Sequence, residues 1–416
     1  MGGPGAIGPP AAGGLITYMT QRITITRSAT LPDPVRLARC LKAPELGPRV
    51  LFFSGGTALR GLARELVRYT YNSIHVITPF DSGGSSAKLR TAFGMLAVGD
   101  LRNRLMALAD RSLHGNPAIY ALFAHRLPKD VGQAELRGML DAMIQGGDPL
   151  VLAVPEPMRK IIRSHLEFFR REMDDRFDMR GASIGNLILA GGFFNYDRQI
   201  DPVIYMFTKL VEARGSVRPV VNEDLTLATE LEDGEILAGQ HVLTGKERGP
   251  ITRPVKLVYL CASQSDTRPV EVEVRRKMKD LIASADLICY PYGSYYSSLV
   301  ANLLPGGVGD AIAKARCPKV YIPNMTGDPE QLGLGLGESV RRLLGYLRVS
   351  CAKPRPREAL LNFVLMDRDT GAYRQPLDLG QLASMDIPVI EAPLAQAKKP
   401  QVYDERAVIE HLLSLI

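Results

Sequence analysis

The sequence predicts a doubly wound, mostly parallel α/β sheet carrying two insertions. Three observations point there. Short, almost wholly apolar runs recur along the chain, as strands covered on both faces require. Stretches of helical spacing separate them, so neighbouring strands join by crossovers rather than hairpins. The runs end in Gly, Ser and Asp clusters, and ligands of open α/β sheets sit beyond the carboxyl ends of strands.

The first clear element is RVLFFS (49–54), closed by Gly55-Gly56. ALRGLARELVRYT follows with apolar Leu59, Leu62, Leu66 and Val67 at helical spacing, and SIHVITPF (73–80) is a second apolar run. Strand, helix and strand at this spacing form a βαβ unit. Further strands are expected at KLVYLCA (256–262), DLICYP (286–291), KVYIPN (319–324), LNFVLM (361–366) and PVIEAP (388–393), with helices at 273–285 and 337–350 between them. Two segments break the alternation. Residues 104–180 read as a helical insertion, with RKIIRSHLEFFRREMDD amphipathic, and residues 217–255 as a β insertion with a hairpin around Asp233-Gly234. Met and Phe side chains within 158–194 read as core. EQLGLGLGES (330–339) reads as a loop. We therefore expect one α/β domain over 49–416. Residues 1–48 form an N-terminal extension, its Gly/Pro/Ala-rich first 14 residues a disordered tail, with an edge strand at QRITITRS (21–28).

Composition narrows the function. Of the 416 residues 46% are apolar and 23% charged, which excludes global disorder. The net charge of +7 is spread along the chain. It suits anionic ligands such as phosphates but lacks the dense basic block of a dedicated nucleic-acid binder. The five cysteines contain no C-x-x-C pair, and their odd number suits a reduced, cytoplasmic protein. The N-terminus lacks the basic region and apolar stretch of a signal peptide. No apolar run reaches the ~18 residues of a membrane span.

Four segments carry chemistry. Ser54-Gly55-Gly56-Thr57 lies between the first strand and its helix, where unpaired N–H groups and a hydroxyl can meet phosphate. It is neither a Walker A nor a G-x-G-x-x-G sequence, and a plain tight turn explains it equally. Phe80 to Arg90 follows the second strand. Asp81 can hold Mg²⁺ or take a proton from a hydroxyl. Gly83-Gly84-Ser85-Ser86 can wrap a pyrophosphate, and Lys88 and Arg90 can offset its charge; the alternative is a solvated loop. Gly99-Asp100-Leu101-Arg102-Asn103 opens a helix with Asp100 at the N-cap, and can bring a second acid and an amide to Asp81. Pro291 to Ser298 follows another strand. Its Gly293, Ser294 and Ser298 suit phosphate or sugar, its tyrosines can stack a base or fill core, and Asn302 faces the same cleft. Gly181-Ala182-Ser183-Ile184-Gly185 matches G-x-S-x-G, but the preceding DDRFDMR is no apolar strand, which argues against a nucleophile elbow. The six histidines show no zinc-binding spacing.

Taken together, these segments resemble the superfamily of 2-phospho-L-lactate transferases (CofD-like) and gluconeogenesis factors (YvcK-like). Gly55-Gly56-Thr57 matches its Gly-Gly-Thr turn. Phe80 to Ala87 matches in part its Ala-Asp-Asp-Gly-Gly-Ser-Ser-Gly loop. Gly99 to Asn103 matches Gly-Asp-x-Arg-Asn, and Ser183 to Leu187 matches Ser-Ile-Gly-Asn-Leu. Glu230 to Gly234, Gly293 to Ser298, Asn302 to Leu304 and Lys319 to Asn324 match later motifs in order. The likeness covers 49–416 and is nearer the gluconeogenesis-factor branch.

The resemblance implies a Rossmann-like fold with a nucleoside-diphosphate cleft. The implied ligand contacts are Gly55, Gly56, Thr57, Gly83, Gly84, Ser85, Ser86, Asn103, Asn186, Gly293, Ser294, Ser298 and Asn324. Asp81 and Asp100 are the implied catalytic acids, with Asp81 the Mg²⁺ ligand. Two functions are open: a Mg²⁺-dependent transferase moving a phosphate-linked group from a nucleoside-diphosphate-activated donor to an acceptor hydroxyl, or a non-catalytic nucleotide-sugar-binding regulator. The partner is a nucleotide-linked small molecule; homo-oligomerisation is left open. The chain departs from the pattern at the loop's second acid, which is Ser82 here, and at Phe80 and Pro291-Tyr292. One fewer carboxylate weakens a divalent site.

Overall fold

The computed structural model describes residues 28–110, 115–245 and 249–416. The expected tail lies outside them, as does the edge strand expected at 21–28 except for Ser28. A seven-stranded sheet forms the centre. Its strands are β1 (Val50–Ser54), β2 (Ile74–Ile77), β3 (Ser216–Pro219), β7 (Leu287–Tyr290), β8 (Lys319–Tyr321), β9 (Phe363–Asp367) and β10 (Val389–Ala392), in the order β10-β9-β8-β7-β1-β2-β3. Every neighbouring pair is parallel. From β1 the chain winds outward to β2 and β3, then returns to place β7 on the other side of β1 and winds outward again. That reversal is the topological switch point of a doubly wound fold.

The inner strands are apolar because both faces are covered: Val50, Leu51, Phe52 and Phe53 are all fully buried. Even His75 on β2 is fully buried, stacked on Phe52 with centroids 5.4 Å apart, and burial holds its pKa well below the usual imidazole value. Of the helix after β1 (Arg60–Leu66), Leu62 and Leu66 pack into the core.

The helical insertion runs further than its amphipathic segments suggest. After Met158–Glu172 come Ile184–Asn195 and Ile200–Leu210, and the chain then enters β3 as an edge strand of the main sheet. Residues 184–193 are buried all round, so no polar face marks them as helix. Gly191 and Gly192 let this helix lie against Met158–Glu172: a Cβ on Gly191 would overlap the His165 carbonyl.

The β insertion is a separate antiparallel sheet of β4 (Thr226–Leu231), β5 (Ile236–Ala238) and β6 (Val255–Cys261), ordered β5-β4-β6. β4 and β5 form the expected hairpin through Asp233-Gly234, with Gly234 at φ 89°. β6 corrects the expectation that 256–262 joins the main sheet: it pairs antiparallel with β4. Its apolar run does not distinguish a doubly covered strand from one covered on a single face, and Leu257 is 43% exposed. A short hairpin of β11 (Ala395–Gln396) and β12 (Lys399–Tyr403) precedes the C-terminal helix Glu405–Ser414.

Burial of His165 holds its pKa down at about 4. An unfolded histidine takes its proton near pH 6.5, so the unfolded chain binds more protons between these values. Stability present above pH 6.5 is therefore lost as pH falls toward 4, by an amount on the order of 3 kcal/mol. Thermal melting should show Tm declining across that window, with His165→Gln flattening part of the decline.

Candidate functional site

The carboxyl ends of β1, β2 and β7 meet at the switch point, around a cavity of about 500 Å³. The registers Phe52–Cys289 and Ser54–Ile77 bring the turns that follow these strands to one edge. Gly55, Gly56 and Thr57 come from the first turn, Asp81, Gly83 and Gly84 from the second, and Gly293, Ser294 and Ser298 from the segment after β7. Asp100 and Asn103 join them from the helix Gly99–Leu108.

Space dictates the glycines of the first turn. A Cβ on Gly55 would stand 2.6 Å from Ser298 Oγ and 3.3 Å from Asp100 Oδ2. A Cβ on Gly56 would overlap the Asp100 carboxylate and come within 3.0 Å of its Cα. Two other chain segments, those carrying Ser298 and Asp100, thus close on these two glycines. Gly84 is a different case: it opens the helix Gly84–Phe93 at φ 56°, which favours glycine.

The two acids share one end of the cavity. Asp81 Oδ1 accepts the Gly83 N–H at 3.0 Å, and Oδ2 lies 3.5 Å from where a Cβ on Gly99 would sit, beside Asp100. Asp100 is not the N-cap expected; Val98 is, and Asp100 stands in the first helical turn, where the helix dipole favours a carboxylate.

Four expected ligand contacts brace the cavity from outside its lining. Ser86 Oγ accepts the Gly99 N–H at 2.9 Å, and Ser85 Oγ accepts from Asn186 Nδ2 at 3.0 Å. Asn324 accepts the Gly293 N–H and donates to the Gly293 carbonyl, both at 2.7 Å. Asn302 is fully buried and ties the Ser54 and Ser298 carbonyls together instead of facing the cleft. Lys88 pairs with Asp178, and Arg90 with Asp224, so neither reaches the cavity. Of the tyrosines, Tyr292 lines it, packed on Tyr403 at 4.8 Å. Tyr295 and Tyr296 are core, with Tyr295 donating to the Ser339 carbonyl and Tyr296 accepting from Arg342.

Sequence reasoning missed three features. The first is Arg104, fully buried under the glycine turn. It donates to the Gly55 carbonyl at 2.7 Å, the Leu59 carbonyl at 2.8 Å and Ser54 Oγ at 3.3 Å. Burial pulls its pKa down to about 10, with Asp100 acting the other way, so it remains cationic at neutral pH. Its neighbour Arg102 is nearly as buried and binds Ser183 Oγ and Asn103 Oδ1. Two arginines among Leu101, Leu105 and Met106 were the available signal. The second is Asp328 and Glu330, of which Glu330 opens the segment expected to be a loop. Their carboxylates accept the N–H groups of Tyr295, Tyr296 and Ser297 and so hold the turn that presents Ser298. Burial pushes both acids up. The third is Gln240, His241 and Thr244, which the β insertion delivers to the cavity wall; no spacing pattern marked them.

Among the described residues no helix is long and apolar enough to cross a membrane. Comparison with known proteins gives a consistent result. A crystal structure of a UPF0052-family protein from Bacillus halodurans superposes with a TM-score of 0.64 at 24% identity, covering 88% of this chain and 99% of that one. The gluconeogenesis factor of Bacillus subtilis (strain 168) is 30% identical over 288 residues, 68% of this chain and 69% of that protein. That of Halalkalibacterium halodurans is 28% identical over 303 residues, 72% and 74% of the two chains. The family model for the 2-phospho-L-lactate transferase CofD matches residues 50–395, every strand of the central sheet and every turn of the cleft included. The chain belongs to the CofD family.

Proposed function

We propose that the cleft binds a nucleoside-diphosphate-linked small molecule, and that the protein transfers a phosphate-linked group from it to an acceptor hydroxyl with Mg²⁺. One observation carries the reading: two glycine turns, the opening turns of two helices and two carboxylates line a single cavity above a buried arginine. In this reading main-chain N–H groups at Gly55, Gly56 and Ser294 would hold phosphate oxygens, with the Arg104 charge beneath them.

Mg²⁺ fits the acids present. Among the described residues no cluster of three or more His, Cys, Asp or Glu could hold a metal by itself. Asp81 and Asp100 would hold it, and two carboxylates completed by ligand phosphates and water are a common Mg²⁺ environment. Bound there, the ion would offset diphosphate charge. The chain's own part is positional and protolytic. The acceptor oxygen bonds to the outer phosphorus, and the bond from that phosphorus to the bridging oxygen breaks. The nucleotide departs with the inner phosphate, and Asp81 takes the acceptor's proton.

A second reading, a nucleotide-sugar-binding regulator without turnover, draws on Ser82 in place of an acid and on the gluconeogenesis-factor relatives. Purified protein with Mg²⁺, a lactyl-diphospho-guanosine donor and a deazaflavin acceptor tests the first. Product above background supports transfer. Tight calorimetric binding of uridine-diphosphate sugars with no product from any donor supports the second.

A further inference from the structure

We infer that the rim of the cleft beside Asn103 is a second anion site, where Arg60 and Arg126 receive an acidic group, a carboxylate or a phosphate monoester, outside the diphosphate pocket. The inference rests on the cleft binding a nucleoside diphosphate.

Three helices build this rim. Arg60 and Arg64 stand one turn apart on the helix Arg60–Leu66, so they share a face. That face meets the helix Pro117–Ala124, where Arg64 Nη2 donates to the Tyr120 hydroxyl at 3.4 Å. Arg102, from the helix Gly99–Leu108, is buried and pinned by three acceptors. It donates to the Phe123 carbonyl at 3.4 Å, to Ser183 Oγ, and to Asn103 Oδ1 at 2.6 Å. Asn103 itself lines the cavity. Arg126 stands on the same support: its backbone bridges to Ser183, and its Nη1 donates to the Gly181 carbonyl at 3.1 Å.

Charge gathers here without a counter-charge. Arg60 and Arg126 are exposed, and both act on Arg102. Burial first, then Arg126 and Arg60, pull its guanidinium down to about 10, with Asp100 acting the other way. Among the described residues none of the three arginines is paired with a carboxylate. On the helix Met158–Glu172, by contrast, Arg159, Arg170 and Arg171 each have an acidic partner. Like charges held together repel until an anion joins them, and planar guanidinium groups suit the oxygens of carboxylate and phosphate. Two sources present such a group: the moiety beyond the outer phosphate of a sugar nucleotide, and a separate acidic molecule bound beside the diphosphate.

Calorimetric titration of the full chain at low salt tells these apart. If the group belongs to the ligand, UDP-glucuronate should bind about tenfold tighter than UDP-glucose, or GDP-mannuronate than GDP-mannose, the scale of one hydrogen bond to a charged group. If it is separate, protein saturated with UDP or GDP should bind inorganic phosphate. In either arm Arg60→Gln with Arg126→Gln should abolish the effect, Arg60→Lys with Arg126→Lys should keep part of it, and added salt should shrink it. The glutamine variant should melt no lower than the unaltered protein, since it loses like charges and no ion pair. An effect that survives the glutamine substitutions overturns the assignment and leaves the cleft reading standing. So does a glutamine variant that melts lower and loses acidic and neutral ligands equally. Absence of the effect from both arms, with UDP or GDP still bound, does the same. Failure of the unaltered protein to bind UDP, GDP or their sugars overturns both.

Discussion

Arg104→Met is expected to lower diphosphate affinity at least tenfold and to cost about 2 kcal/mol of stability. The substitution leaves the Gly55 and Leu59 carbonyls and Ser54 Oγ without the donors that hold them. Unpaired buried acceptors cost about 1–3 kcal/mol each. Removing a desolvated cation acts the other way, and burial already pulls this guanidinium down to about 10. The net is a moderate loss of stability with a larger loss of function, because the turn proposed to meet the phosphates loses both its brace and its underlying charge. Arg104→Lys should recover part of the affinity but less of the stability, since an ammonium cannot fork between three acceptors. Denaturant unfolding and UDP or GDP titration on both variants check this. Unchanged affinity in Arg104→Met would show that the turn is not the phosphate contact.

Asp81→Asn is expected to reduce transfer by about a hundredfold or more, the usual scale for removing a general base. The substitution preserves shape. An amide oxygen still accepts the Gly83 N–H that Oδ1 accepts now, so the loop should hold. In EDTA, diphosphate affinity should stay the same or rise, because a negative charge leaves the proposed diphosphate site. Single-turnover measurements beside calorimetry separate the two effects. A fall in affinity with unaltered turnover would assign Asp81 to binding instead.

Much of this site was legible in sequence because its parts sit where strands end. β1, β2 and β7 are buried apolar runs, so the turns after them stood out, and Gly56, Asp81, Asp100 and Ser294 do converge. What escaped had physical reasons. β3 reads Ser-Val-Arg-Pro, an edge strand too short and polar to show a period. β6 is as apolar as a central strand yet is covered on one side. Arg104 was hidden because an arginine on a helix ordinarily reaches solvent, and only packing shows that this one does not. His241 was hidden by distance along the chain, since it meets Ser82 from the β insertion, beyond the whole helical insertion. Ser85, Ser86, Asn186 and Asn324 were found in the right neighbourhood, but their bonds go to the protein that shapes the cavity.

The most direct measurement is the crystal structure of the protein grown with UDP or GDP and Mg²⁺. The account predicts phosphate oxygens within hydrogen-bonding distance of the Gly55, Gly56 and Ser294 amides, with the ion at Asp81 and Asp100. A diphosphate seated elsewhere on the molecule, with the glycine turn making no contact to it, would contradict the account.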